Sequence, residues 1–147
     1  MAKRNWPFPD EWPVNNWVSF AEEYLSVASV IHSHAPRRTR ARMQVSGQAV
    51  ECALKAFLVA SKLIPPASHD LIQLCERAEE ASLLVTEIEA SAIFQISLDF
   101  FQDIGSGVKF KARYPSATTE SFRLPVVQHH VVIEAVNSIC RQSLARL

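Results

Sequence analysis

Apolar residues recur three and four positions apart through most of the chain, the spacing that gathers them on one face of a helix. The clearest run lies within residues 44–75, where Ala49, Val50, Ala53, Leu54, Phe57 and Leu58 form a stripe that Ser61 continues. Glu51 and Lys55 stand one turn apart in the favourable order, so a surface ion pair is expected. Pro65 and Pro66 cannot continue the helix. Ser68 then offers an N-cap and Asp70 a carboxylate suited to the dipole of a new helix. That helix is expected over about 69–81, turning Leu71, Leu74, Cys75 and Ala78 inward.

The same periodicity places a helix over about 16–34, capped by Asn15 or Asn16, with Trp17, Phe20, Ala21, Tyr24, Ala28 and Ile31 as its stripe. Thr86-Glu87-Ile88-Glu89 fits a capping box, and a helix to about 104 should follow. Its apolar residues, among them Ile88, Ile93, Phe94, Ile96 and Leu98, cover more than one face, which suits a central helix or a subunit interface. Gly105 and Gly107 supply a stop. The last helix is expected over about 124–146, with Pro125 in its first turn and Val126, His130, Ile133, Val136, Cys140, Leu144 and Leu147 as its stripe. The pattern predicts one all-α domain over 1–147. It is an up-and-down bundle of four main helices, with a short helix after the Pro-Pro turn.

Residues 5–17 fall outside this scheme. Their three tryptophans and three prolines exclude a regular helix. Trp6, Phe8 and Trp12 are costly to leave in water, so residues 1–16 form an arm that either straps back onto the helices or reaches a neighbouring subunit.

Composition adds exclusions. Fifteen basic and fifteen acidic side chains leave no net charge, so a nucleic-acid role must rest on local clustering. Cys52, Cys75 and Cys140 are widely spaced and odd in number, which reads as reduced, buried thiols. The N-terminus lacks the apolar run of a signal peptide, and no apolar stretch is long enough to span a membrane, so a soluble cytoplasmic protein is expected. No glycine-rich phosphate loop, HExxH, CxxC or GxSxG occurs, and neither a metal nor a cofactor is expected.

Two basic clusters stand out. Arg37, Arg38, Arg40 and Arg42 fall within six positions, just after Pro36. They are either a solvated loop paired with distant glutamates or a patch for phosphates. In residues 108–119, Lys109, Lys111 and Arg113 alternate with Val108, Phe110 and Tyr114, which reads as an extended loop in so helical a chain. Such a loop can grip a base and its phosphate, or Tyr114 can pack while Arg113 pairs with Asp99 or Asp103. His32 and His34 lie two apart and face different directions, which suits capping or solvation better than zinc.

The segments QAVECALKAFLVA and HDLIQL, with ARYP much later, resemble the HEPN family of small all-helical prokaryotic domains over residues 17–147. The resemblance implies a HEPN-like bundle, a homodimer, and an HDL that begins a helix rather than serving as a His69–Asp70 acid–base pair. Family members include ribonuclease toxins, partners of small nucleotidyltransferases, and domains without evident chemistry. Active members carry an arginine followed, four to six positions on, by a histidine. The positions that match are Arg123 with His129 or His130. In that chemistry a histidine moves the proton of a ribose 2′-hydroxyl and an arginine steadies the phosphate charge, without metal. Here Leu124 replaces the usual polar residue and Pro125 intervenes. His129 is the solvent-facing candidate, because His130 falls on the apolar stripe. The expectation is a non-catalytic module that binds RNA, a nucleotide or a protein partner in a toxin–antitoxin, defence or nucleotidyltransferase-associated system. The alternative is a metal-independent endoribonuclease.

Overall fold

The computed structural model describes residues 13–100 and 127–147. Its helices are α1 (Val14–His34), α2 (Thr39–Ala60), α3 (Leu71–Glu80), α4 (Glu87–Phe100) and α5 (His129–Leu144), and no strand occurs among the described residues. Residues 1–12 of the tryptophan-rich arm, both glycines of the expected helix stop and the basic loop 108–119 lie outside them, while residues 14–17, expected to be non-helical, open α1 just after Pro13.

α2 packs against all four other helices. Small residues make this possible: Ser46, Gly47, Ala49, Ala53, Ala56 and Ala60 are all buried and let neighbours approach closely. Leu54, Phe57 and Leu58 fill the space between them. Side-chain ties fix the directions. Lys55 at the far end of α2 lies over the ring of Trp17 at the start of α1, 5.6 Å from its centroid, so these helices are antiparallel. Arg42 donates to the Val127 carbonyl at 3.1 Å just before α5, and Arg146 donates to Ser61 Oγ at 2.9 Å just after α2. α5 therefore runs parallel to α2. Gln142 exchanges two 2.9 Å hydrogen bonds with the backbone of Leu84, which sets α4 antiparallel to α5. The result is an up-and-down bundle of α1, α2, α4 and α5 with α3 as the short helix.

The ends show which local rules operate. Thr86 and Glu89 exchange reciprocal 3.1 Å bonds, the capping box expected from their spacing. At α3 the cap is Asp70, not Ser68: its Oδ1 accepts from the amides of Ile72 and Gln73, while Ser68 Oγ accepts from the Asp70 amide. α1 starts at Val14, with Pro13 at the cap position and no side-chain cap, so Asn15 and Asn16 lie inside the helix. α2 stops before the prolines. Lys62 turns left-handed (φ 63°), Leu63 N–H reaches the Leu58 carbonyl, and Lys62 N–H reaches Val59. Ser82 (φ 75°) ends α3 with the same pair of bonds.

The inner face of α1 is Val14, Val18, Ala21, Leu25 and Ala28. That face lies one position round from the expected stripe, whose Trp17, Phe20 and Tyr24 sit half-buried at its margin. The expected surface pair of Glu51 and Lys55 is buried, because α2 has almost no outer face. Glu51 Oε2 accepts from Lys55 Nζ at 3.2 Å, and its Oε1 lies 2.6 Å from His69 Nδ1. His69 thus ties the start of α3 to α2, the structural role expected of the HDL segment.

Removing Glu51 strands a buried ammonium, so Glu51→Ala should lower unfolding free energy by roughly 3–5 kcal/mol in a urea titration. Cys52, Cys75 and Cys140 are free and buried, and burial foremost pushes each thiol up to about 12. A thiol-specific chromogenic reagent should leave all three untouched in the native protein and titrate all three in denaturant.

Candidate functional site

No carboxylate occurs between Glu23 and Glu51 in the sequence, while four arginines and two histidines do. The fold concentrates that imbalance. α1 ends, α2 begins and α5 begins at the same end of the bundle. His32 and His34 come from the last turn of α1, Arg37 and Arg38 from the turn after it, and Arg40 and Arg42 from the first turn of α2. His129 and His130 open α5, about a hundred residues later.

Among the described residues, no side chain offsets the positive end of either helix start here. Neither α2 nor α5 has a side-chain cap or an acid in its first turn. This contrasts with Asp70 at α3 and the Thr86–Glu89 box at α4.

Arg37 and Arg38 are exposed and Arg40 is half-buried. Arg42 parts from them. It is only 5% exposed, one Nη is bonded to the Val127 carbonyl, and the other has no hydrogen-bond partner among the described residues. Burial lowers its pKa from the usual arginine value, yet a guanidinium stays charged. The expected four-arginine surface patch is therefore three arginines outside and one beneath, since position 42 falls on the face of α2 that meets α5.

The two histidines of α5 exchange the roles expected of them. His130 is exposed, whereas His129 is only 6% exposed. The buried stripe of α5 is His129, Val132, Ala135, Val136, Ile139, Cys140 and Ser143, one position round from the expected one, and Leu144 and Leu147 are left in water. His129 Nε2 lies 2.9 Å from Ser29 Oγ, and His32 stacks on its ring at 4.8 Å between centroids. His129 Nδ1 has no partner among the described residues. Burial first, then the charges of His32 and Arg42, hold its pKa below the ordinary histidine value.

Sequence reasoning assigned no role to Ser29 and did not join His32 to His129, because nothing local links positions 100 residues apart. Arg123, Lys109, Lys111, Arg113 and Tyr114 lie outside the described residues, as does the side chain of Asp99.

A cleft of about 400 Å³ lies between the start of α4 and the outer face of α5. Ile88, Glu89, Glu134 and Arg141 line it with mixed charge, and Glu89 is already committed to its cap. Among the described residues no cluster of three metal-ligating side chains occurs, and no helix is long and apolar enough to cross a membrane. The basic end can hold an anion. Its guanidiniums and helix starts offer donors and positive potential, and its one buried imidazole is held neutral.

Compared with known proteins, residues 14–140 match the family model described as HEPN domain. No curated protein and no solved structure gives a significant match.

His129 titrates below its unfolded value, so the unfolded chain takes up the proton first. The stability this histidine contributes is full above about 6.5 and is lost as pH falls through the lower folded value. Thermal unfolding midpoints of the wild type should drop more steeply below that pH than those of His129→Gln, and equal slopes would show that His129 is not the group responsible.

Proposed function

The chain belongs to the HEPN domain family, and on that footing we propose that it is a non-catalytic binding module that takes the phosphates of an RNA or nucleotide at the basic end of its bundle. The family is associated with nucleotide- and RNA-related toxin or defence systems. One observation carries the reading for this member: three helix ends bring Arg37, Arg38, Arg40, His32, His34 and His130 together around two uncapped helix starts, with no acid from the α1–α2 hairpin near them. Exposed guanidiniums pair with phosphate oxygens two at a time, and helix starts add backbone donors. Arg42 secures this end of the bundle from beneath by its bond to Val127. Lys109, Lys111, Arg113 and Tyr114 remain proposed contributors to the same ligand.

Ile88 and Phe94, left in water on α4, support a homodimer formed on that helix, and a small nucleotidyltransferase is the protein partner we propose. The ribonuclease alternative requires Arg123 with His129 or His130. Burial of His129 weighs against its reaching a 2′-hydroxyl, and among the described residues no hydrogen bond orients the exposed His130.

Fluorescence anisotropy with a labelled single-stranded RNA tests the reading. Affinity should fall steadily with salt, each phosphate contact contributing a slope of about −0.7. The double variant Arg37→Ala, Arg38→Ala should weaken binding and flatten that slope by about 1.4. Salt-independent binding, or a double variant like the wild type, overturns it. Cleavage of the RNA in EDTA that Arg123→Ala and His129→Ala abolish would instead establish the nuclease.

A further inference from the structure

Buried polar atoms normally find a partner, and leaving one without is costly, the more so if it is charged. Three buried atoms in one part of this molecule have no hydrogen-bond partner among the described residues: an Nη of Arg42, the Oγ of Ser46 and the Nδ1 of His129. All three side chains are more than nine-tenths buried. Arg42 and Ser46 are one turn apart on α2, hence on the same face. Arg42 reaches the backbone of Val127, two residues before His129 at the start of α5. Arg42 and His129 thus meet at the seam between the starts of α2 and α5, and Ser46 extends that seam one turn along the face of α2 that carries Arg42.

We propose that this seam is a binding site for one terminal phosphate, a phosphate monoester at the end of an RNA or on a mononucleotide. The proposal rests on the phosphate-binding reading above and deepens it. Charge selects an anion. Arg42 is buried, carries no ion pair among the described residues, and its one bonded partner is a neutral carbonyl. The donor set selects a phosphate. A guanidinium N–H, a serine hydroxyl and an imidazole N–H all donate, and the uncapped start of α5 adds backbone amides and positive potential. A carboxylate offers two coplanar oxygens, whereas a terminal phosphate presents three in a tetrahedral spread, one for each of the three side-chain donors. Depth selects a chain end. A diester carries a sugar on both sides, and both would have to enter the seam. A monoester brings only one and leaves it outside, beside exposed Arg37 and Arg38. Those surface arginines then hold the rest of the ligand without regard to its end.

The test compares one short single-stranded RNA in three forms, with a 5′-phosphate, with a 3′-phosphate, or with hydroxyls at both ends. On the wild type, one phosphate-ended form should bind about tenfold tighter than the hydroxyl form, a difference of about 1.4 kcal/mol. Arg42→Gln should erase that preference, and Ser46→Ala, which breaks no existing bond, should reduce it about threefold. Arg37→Ala with Arg38→Ala should weaken all three forms alike and keep the ratio. Inorganic phosphate should raise the thermal midpoint of the wild type but not of Arg42→Gln. RNA bound with no end preference, together with phosphate that stabilises neither protein, overturns the seam site and leaves the surface reading standing. Phosphate that stabilises the wild type through Arg42, with no RNA bound in any form, supports the seam site and overturns the RNA reading.

Discussion

A helix buried on nearly every face can carry charge only where a partner waits, and α2 carries three charges in its buried length: Arg42, Glu51 and Lys55. The rest of the structure is arranged around this constraint. Glu51 and Lys55 satisfy one another, and the surplus acceptor of Glu51 draws in His69, which seats the start of α3. Trp17 covers Lys55 from α1. Arg42 has no such set. It takes one backbone carbonyl from the segment that leads into α5 and keeps one nitrogen over. The two ends of α2 therefore differ in kind. One is internally neutralised, and the other holds positive charge that nothing on the α1–α2 hairpin offsets.

That asymmetry divides α2 into a packed, internally neutralised part and a basic end. From Ala49 onward α2 is explained by packing and by its buried ion pair. Before it, the residues do little for the core beyond Met43 and the small Ser46 and Gly47. The ends of α1 and α5 add histidines there instead of acids. Natural helix starts usually gather a capping oxygen or an acid, as α3 and α4 do here. The two helices that lack one are the two that meet beneath the arginines.

Much of this was legible in the sequence. The stripe from Ala49 to Leu58, the Thr86–Glu89 box and the inward face of α3 stand where their spacing put them. The misreadings share one cause. In α1 and α5 two adjacent faces both carry apolar residues, and large side chains drew the stripe toward Trp17, Phe20 and Leu144. Small residues such as Ala135 and Ser143 were in fact the ones facing the core. Giving Ala and Ser their weight as contact residues would have put His129 inside and His130 outside. Arg42 had a signal too: Met43, Ser46 and Gly47 extend the buried run of α2 back to it. The pairing of Ser29 with His129 had none, because it depends on helix directions that only tertiary packing sets. The helix stop at Lys62 was hidden for another reason, since lysine is an uncommon choice for a left-handed position.

The bond between Arg42 and Val127 spans 85 residues, whereas α1 and α2 are joined by a short turn. Closing a short hairpin costs little chain entropy, and docking α5 across so long a separation costs more. On that ground α5 is expected to dock after the α1–α2 hairpin has formed, and Arg42 to lose its water only then. Interactions made after the folding barrier change the rate of unfolding far more than the rate of folding. An anion held at the seam would act as a kinetic clamp, lengthening the lifetime of the closed bundle while leaving the speed of its formation nearly as it was.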